Sequence, residues 1–592
     1  MKVSDYVMQF IASLGVKDIF YVSGGGAMHL DDSLGSNPSL QGICALHEQG
    51  ASIEAEAYAR ITENYGVCLV TSGPGSTNAL TGLSGAYLDS TPVIFLSGQV
   101  KRDDLVGDQG IRQFGIQEVD IVSMVASSTK YAVIIMDAKD VRYELEKAAY
   151  LAKEGRPGPV WIDIPLDIQA SEIDETSLRG YEHQEMIRPS CEEKDIEETI
   201  QLLNASKRPL ILVGNGIRLS GAKKEMRTLL ETLKIPVMTS WNGCDLVEED
   251  FPMYCGRPGI VANRYTNFIF QNADFVLTIG TRLNLLSTGY NYDSFLENAT
   301  HVMVDIDEHE MDKKSVHPDK KIVCDAKVFI EKMLEHSDRM SIMDRHEWEE
   351  RIAFLKTKYP RFIPEQVAQK DYVSNYRLID EVTKQMSSDD IYQFTSSGTT
   401  VDIAMKMIQI KKDQRAFLTK GLASMGFDIP ASIGSCIASG GRRTVCVTGD
   451  GSAVMNMQEL EIAYRYQLPI KIFVADNQGY AMIYGSQNGN FKGRLTGCTK
   501  ESGLTLPDMG KIAEAMGIIS FHIEEESQIS DMVRQVLEYD GPVVCTYHAD
   551  ITQQVLPRQA NYMKENGQMA SRPLNDMAPL LEREELEDVM SW

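Results

Sequence analysis

Short apolar runs recur along the whole chain, and each is followed by an Ala- and Leu-rich stretch of helical period. Val67-Cys68-Leu69-Val70, Pro209-Leu210-Ile211-Leu212-Val213, Phe275-Val276-Leu277-Thr278-Ile279 and Ile470-Lys471-Ile472-Phe473-Val474 are examples. Strands that are apolar on both faces belong in sheets covered on both sides, and the intervening helices are the crossovers that parallel strands need. The chain therefore reads as α/β, with three doubly wound parallel-sheet domains. Its 592 residues suit three or four domains, taking ~150 residues for each. The sequence turns polar and acidic after Asp167-Ile168-Gln169, up to about residue 193, and a charged helical segment with Pro360 and Pro364 lies between about 335 and 372. The expected domains are 1–170, 190–335 and 370–555. A tail, 556–592, contains Pro557, Pro573 and Pro579 and ends in an acidic, helix-like segment.

A formal net charge of −26 and a pI near 4.9 argue against nucleic acid or an anionic membrane as the partner. Any anionic ligand must then be held by local backbone N–H groups, helix N-termini or a metal. The ten cysteines show no CxxC spacing, which leaves zinc ribbons and dithiol motifs unsupported. The first residues, with Asp5 among them, read as an amphipathic helix rather than a signal peptide. No apolar stretch approaches the ~18 residues of a membrane span. The expected location is the cytoplasm.

The stretch with the strongest chemistry is Thr444-Val445-Cys446-Val447-Thr448-Gly449-Asp450-Gly451-Ser452. An apolar strand ends in Gly-Asp-Gly, with a helix expected from about Asn456. The glycines let the backbone turn and approach a ligand, and the Asp falls at the carboxyl end of a parallel strand, where α/β sheets bind ligands. Residues 452–476, 25 in number, separate this turn from Asn477-Gln478-Gly479-Tyr480 at the end of the next strand. Asp450, the Asn477 side-chain oxygen and the Gly479 carbonyl offer three hard oxygen ligands, a partial shell of the kind Mg²⁺ completes with water and phosphate. A Gly-Asp-Gly turn alone is a common strand-to-helix connection; the pairing with a second strand-end Asn makes it specific.

This segment resembles the diphosphate-binding signature of thiamine-diphosphate enzymes, with Asp476-Asn477 where Asn-Asn is usual. The resemblance extends to the acetolactate synthase group over nearly the whole chain. It is carried by His47-Glu48-Gln49-Gly50-Ala51 with Ala57-Tyr58-Ala59-Arg60, by Thr71-Ser72-Gly73-Pro74-Gly75 with Asn78, and by Ser97-Gly98-Gln99-Val100. Arg156-Pro157-Gly158-Pro159-Val160 and Gly421-Leu422-Ala423-Ser424-Met425-Gly426-Phe427 carry it further. The resemblance implies a pyrimidine-binding domain, a central Rossmann-like domain and a diphosphate-binding domain, in that order. It also implies cofactor contacts at Gly25, Glu48, Ser72, Pro74, Asn78, Ser397, Gly398, Thr399, Thr400, Ser424, Met425, Gly449, Asp450, Gly451, Ser452, Asn477, Gly479, Tyr480, Ala481 and Met482. The Mg²⁺ ligands it implies are Asp450, Asn477 and Gly479.

The same resemblance implies that Glu48 shares a proton with the cofactor's aminopyrimidine ring, and that Met425 wedges the two cofactor rings into a V. On local sequence alone, Glu48 reads equally as a carboxylate at a helix N-terminus, and Met425 as an adaptable core residue. Gln99, Gln117 and His47 are weaker candidates for lining the reacting centre. In the family the cofactor stabilises the carbanion left when a 2-oxo acid loses CO₂; the protein supplies position and electrostatics. Glu48 of one subunit is implied to meet the Asp450 domain of another, which makes a homodimer or homotetramer the expected assembly.

Three positions depart from the acetolactate synthase pattern. After Gly280-Thr281-Arg282 the family has Phe-Asp-Asp-Arg, its Arg facing the acceptor's carboxylate; here the run is Leu283-Asn284-Leu285-Leu286. An aliphatic side chain cannot bind a carboxylate as a guanidinium does. The family's Trp after the Asn-Gln pair falls at Ser486, and its Lys in the Pro-Lys-Asp-Ile-Gln segment is Leu166. The reading is a carboligase with a 2-oxo acid donor, pyruvate by expectation, and an altered carbonyl acceptor such as a keto sugar. A simple 2-oxo-acid decarboxylase, a cyclic-diketone hydrolase and a non-enzymatic cofactor-binding scaffold are the alternatives. The strand end Val304-Asp305-Ile306-Asp307 is what flavin-binding relatives show, but other relatives keep this domain without flavin, so bound FAD stays open.

Overall fold

The computed structural model describes residues 1–182, 186–340, 345–367 and 370–591. The apolar runs form three parallel sheets. The first holds β1 (Asp18–Tyr21), β2 (Gln41–Cys44), β3 (Gly66–Val70), β4 (Val93–Gln99), β5 (Tyr131–Ile134) and β6 (Val160–Pro165), in the order β2-β1-β3-β4-β6-β5. The second holds β7 (Pro209–Val213), β8 (Val237–Thr239), β9 (Phe275–Ile279), β10 (Thr300–Asp305) and β11 (Lys320–Val323), ordered β11-β10-β9-β7-β8. The third holds β12 (Ile391–Phe394), β13 (Arg415–Phe417), β14 (Thr444–Gly449), β15 (Ile470–Asp476), β16 (Ile519–Ile523) and β17 (Val543–His548), ordered β13-β12-β14-β15-β17-β16. Every residue of β3, β4, β6, β7 and β9 is buried, as strands covered by helices on both faces must be.

The helices that frame the site and join the domains are α1 (Val3–Ser13), α2 (Glu48–Thr62), α3 (Arg264–Asn272), α4 (Thr399–Met407), α5 (Asp428–Ala438), α6 (Asp450–Ala453), α7 (Ala481–Asn490) and α8 (Arg583–Met590). The N-terminal stretch is indeed an amphipathic helix: α1 buries Val3, Val7, Met8 and Ile11 along one face. Helix α2 behaves differently. All residues from Gly50 to Arg60 are buried, because the first sheet covers one side and α5 of the third domain the other. The two helices touch backbone to backbone at Gly434, where a Cβ would sit 2.3 Å from the Glu54 carbonyl oxygen.

Two charged residues of α2, Glu56 and Arg60, consequently lie between domains and are paired there. Arg60 bonds Glu56 at 2.7 Å and Asp89 at 3.0 Å, and reaches the Leu418 carbonyl of the third domain at 2.7 Å. Asp245 of the central domain takes Arg218 at 2.9 Å and Arg415 of the third domain at 2.5 Å; Arg218 also holds Glu63 at 2.7 Å. All three domains are thus joined by ion pairs and arginine-to-carbonyl bonds, each arginine offering its fork of donors to two carboxylates or carbonyls.

The tail forms two short antiparallel ladders and then α8. The tail begins against the third domain, where the Tyr376 hydroxyl donates to the Leu556 carbonyl at 3.1 Å and Lys406 bonds the Pro557 carbonyl, and it continues along the central domain. Asn267, Arg264 and Asn272 of α3 donate to the carbonyls of Leu574 (2.9 Å), Pro579 (2.6 Å) and Val589 (3.2 Å). Among the described residues, no helix is long and apolar enough to cross a membrane.

Candidate active site

Strand β14 pairs with β15 from Thr444↔Ile470 to Gly449↔Ala475. That register explains the sequence spacing: the crossover returns the chain one strand over, so the turns at Asp450 and Asn477 emerge side by side at the carboxyl edge. Asp450 is buried, and its carboxylate collects three backbone N–H groups. Gly451 donates to Oδ1 at 2.7 Å; Gln478 and Asn477 donate to Oδ2 at 2.7 and 3.1 Å. Burial pushes the carboxyl up to about 7, with nearby Asp476 adding to the rise and the three N–H groups opposing it. A buried acid of this kind is relieved by a cation. The Asn477 side-chain oxygen accepts the Gly479 N–H at 3.1 Å, which fixes it beside the Asp450 carboxylate. The donor set is all hard oxygen and suits Mg²⁺.

The helix starts at Asp450 itself, not near Asn456 as the sequence suggests. At Asn456 the backbone leaves helical geometry (φ −134°), and its amide donates to the Gly426 carbonyl at 2.7 Å. Ser452 Oγ accepts the Gly426 N–H at 3.0 Å. The loop bearing Ser424 and Met425 is therefore clamped at Gly426 from both sides by residues that follow Asp450. Met425 Cε comes to 3.5 Å from where a Cβ on Gly451 would stand, and Tyr480 Cε1 to 2.4 Å. Gly451 must be glycine for this convergence. The side chains of Ala481 and Met482 begin α7, of which no residue is buried.

Ser397 and Gly398 lead into α4. Gly398 sits at φ +90° and lets the chain turn into α4, whose Thr400 Oγ1 comes to 4.0 Å from the Cβ position of Gly449. Free N–H groups at the start of a nine-residue helix favour an anion. Ser397–Thr400, Gly449–Ser452 and Asn477–Met482 follow the neighbouring strands β12, β14 and β15 at one carboxyl edge, and the Ser424–Met425 loop is held to that edge through Gly426.

The first domain builds a second constellation. Glu48 is the first residue of α2, and its Oε2 accepts the Asn78 amide at 3.0 Å. His47 caps the helix, Nδ1 accepting the Gln49 N–H at 3.0 Å. Ser72 and Pro74 flank Gly73, whose φ of +61° and lack of Cβ admit the Gln117 carbonyl, 2.6 Å from the Cβ position. Gly25 begins the neighbouring turn, where the Gly26 N–H bonds Thr71 Oγ1 at 3.0 Å. Gln99 is placed differently from the expectation that it lines the reacting centre. It is 2 % exposed, and Nε2 donates to Val119 O (3.0 Å) and Asp163 Oδ2 (2.9 Å) while Oε1 accepts the Val100 N–H. Its amide is committed to holding the loop that carries Gln117.

Among the described residues, no hydrogen bond joins the Glu48 set to the Asp450 set. Sequence reasoning missed the residue that comes nearest to linking them: Glu459, whose Oε2 accepts the Leu46 N–H at 3.1 Å. The signal available was its place in the helical run after Asp450, which reads as an ordinary surface acid.

A separate cleft of about 1010 Å³, counted to its open mouth, lies between the first and central domains. It is lined by Asp89, Arg156, Asn215, Arg282 and Asp305 among others. Gly214 and Gly216 serve packing here: a Cβ on either would come within 2.3 or 2.6 Å of Gly280. Trp241 Nε1 and Asn242 Oδ1 border the cleft, buried and without partners among the described residues.

Three domain descriptions match the chain. They are the thiamine pyrophosphate enzyme N-terminal TPP binding domain over residues 1–124, the central domain over 196–333 and the C-terminal TPP binding domain over 396–547. The acetolactate synthase large subunit of Cyanidium caldarium is 32% identical over 542 residues, covering 89% of this chain and 90% of the relative. The chain belongs to the thiamine pyrophosphate enzyme family. The acetolactate synthase isozyme 2 large subunit of Escherichia coli (strain K12) is 30% identical over 562 residues, 94% of this chain and 97% of the relative. The probable acetolactate synthase large subunit of Methanococcus aeolicus is 32% identical over 560 residues, 90% of each. As a thiamine pyrophosphate enzyme of the acetolactate-synthase-like group, the chain is a thiamine-diphosphate-dependent carboligase, and its three parallel sheets are the three domains of the family.

Proposed function

We propose that this enzyme decarboxylates a 2-oxo acid, pyruvate in the first instance, and joins the acyl unit to a carbonyl acceptor that is not a small 2-oxo acid. Asp450, Asn477 and the Gly479 carbonyl would hold Mg²⁺, and the start of α4 the diphosphate. Met425 and Tyr480 would shape the space above Gly451, and Glu48 would hold or release a proton at the aminopyrimidine nitrogen. When bound, thiamine diphosphate supplies the electron sink for the carbanion that loss of CO₂ leaves. Since among the described residues no hydrogen bond joins the Glu48 set to the Asp450 set, the complete site is read as forming between two subunits of a homodimer or homotetramer. The domains are taken as 1–170, 190–335 and 370–555, with the tail 556–592.

The observation that carries the altered acceptor is the environment of Leu286. It packs with Ile260 against the apolar core of the third domain, so the side chain at this position offers an acceptor's carboxylate no charge. Helix α7 supports the same reading. It presents Ser486 and Asn488 to solvent from a surface on which no residue is buried, with Gln487 bonded to the backbone of Thr496. Such a face suits a hydroxyl-rich, uncharged or nucleotide-carried keto sugar. The central cleft fits a flavin or another nucleotide: a strand-end acid, Asp305, stands at its wall beside two unpartnered polar groups. FAD is the proposed occupant.

The test is to incubate the holoenzyme with pyruvate, alone and with a nucleotide-linked keto sugar, and to identify products by NMR. Slow CO₂ release alone that accelerates with the sugar supports the reading. Acetolactate formed from pyruvate alone at the rate of the sugar reaction would overturn the acceptor, and absence of CO₂ with cofactor bound would overturn the donor.

A further inference from the structure

Glu459 belongs to the third domain, on the turn Val454–Glu459 that Asn456 bends, but its side chain enters the first domain. It is 0 % exposed. Its carboxylate accepts the Leu46 N–H at 3.1 Å and also bonds the His47 N–H. Leu46 and His47 are the two residues before Glu48, so Glu459 holds the turn from which α2 and Glu48 depart. Gly50 keeps the space open: a Cβ there would be 2.5 Å from Glu459 Oε1.

Further along α2, Glu54 is also 0 % exposed, and among the described residues neither of its oxygens has a hydrogen-bond partner. Burial first, and the charge of Glu459 second, hold its carboxyl well above the usual range, with the Arg465 cation opposing the rise. The asymmetry between the two acids decides which keeps the negative charge. Burial raises Glu459 as well, to about 7, but the N–H groups of Leu46 and His47 oppose that rise and Glu54 has no such donors, so Glu459 is the acid of the pair that ionises first.

We propose that Glu459 is the positioning residue for Glu48, clamping the Leu46–His47 turn so that the catalytic carboxylate projects in one fixed direction. This rests on the reading of Glu48 as the cofactor's proton partner. Glu459 itself touches neither cofactor nor substrate.

The test uses the full-length protein and four variants: Glu459→Ala, Glu459→Gln, Glu48→Gln and the Glu48→Gln/Glu459→Ala double. Backbone hydrogen exchange of the peptide spanning Leu46 to Gly50 is followed in the cofactor-free protein. Exchange of the thiazolium C2 proton into D₂O is followed with thiamine diphosphate and Mg²⁺ bound, and kcat and KM with pyruvate are recorded. Glu459→Ala should speed amide exchange in that peptide and slow C2 exchange by roughly 10- to 100-fold, with KM within a few-fold. Glu459→Gln, which keeps an acceptor oxygen, should recover most of both. In the Glu48→Gln background Glu459→Ala should add little, since each change then acts on the same group. Should Glu459→Ala not fold, Gly50→Ala presses the same carboxylate aside without a cavity and should show the same defects. Wild-type C2 exchange in Glu459→Ala or Gly50→Ala, no rescue by Gln, or full losses that multiply in the double variant would overturn the proposal. Wild-type C2 exchange in Glu48→Gln would instead overturn the reading of Glu48.

Discussion

The backbone N–H of Gln478 stands 2.7 Å from Asp450 Oδ2, across the gap between two neighbouring strand ends. One carboxylate thereby fixes both of the loops that would carry the metal: its own, and the one that presents Asn477 and Gly479. Removing the charge affects ligation and loop geometry together.

Asp450→Asn keeps the size of the side chain and an acceptor oxygen but loses the anion. Calorimetric titration should show thiamine diphosphate with Mg²⁺ binding weaker by roughly 100-fold or more, the protein remaining folded. Wild-type affinity would remove Asp450 from the metal site.

Glu54 gives the enzyme a pH-dependent stability. Its folded-state value lies well above the ordinary 4.5, so between the two the folded protein binds the extra proton. Stability is fully present below about 4.5 and is lost as pH rises toward and through the raised value. Glu459, Arg465 and Cys68 are the groups that face it. Glu54→Gln carries no such proton and should melt higher than wild type at pH 8, with the difference vanishing near pH 4.5 to 5. An equal difference at both pH values would refute the ionisation.

Gly434→Ala should damage the contact between α2 and α5, because the new Cβ meets backbone at 2.3 Å rather than a movable side chain. Overpacking of this kind costs about 1–3 kcal/mol or more, and the loss should appear in denaturant midpoint. A wild-type midpoint would show that the two helices can slide apart.

Ser486 is exposed on α7, so Ser486→Trp should fold normally. With a wall restored at that position, transfer to a bulky keto sugar should fall by roughly 10-fold or more, while CO₂ release from pyruvate alone holds. Loss of both activities equally would place Ser486 away from the acceptor.

The parts of the molecule written in adjacent residues were legible beforehand. Apolar runs such as those of β14 and β15 announce buried parallel strands, and the Gly-Asp-Gly turn with its Asn partner announces where they end. What escaped depends on distant partners. The break at Asn456 exists because the Gly426 carbonyl, 30 residues back, accepts its amide. Glu459 reads as a solvated acid until its partner 413 positions away is in view. Gln99 looked available because nothing near it in sequence reveals that Val119 and Asp163 consume its donors.

The register that sets Gly449 beside Ala475 also governs how this enzyme can vary. An insertion within β14 or β15 would turn every following side chain to the opposite face and carry Asp450 or Asn477 out of reach of the other. The end of the crossover has no such sensitivity, provided that Gly451, Ser452, Asn456, Glu459 and the buried helix residues Leu460, Ile462 and Ala463 keep their places. Length changes across homologues should therefore collect at the exposed turn of Tyr466 and Gln467, beyond the helix that buries Leu460, Ile462 and Ala463, leaving the two strands free of gaps.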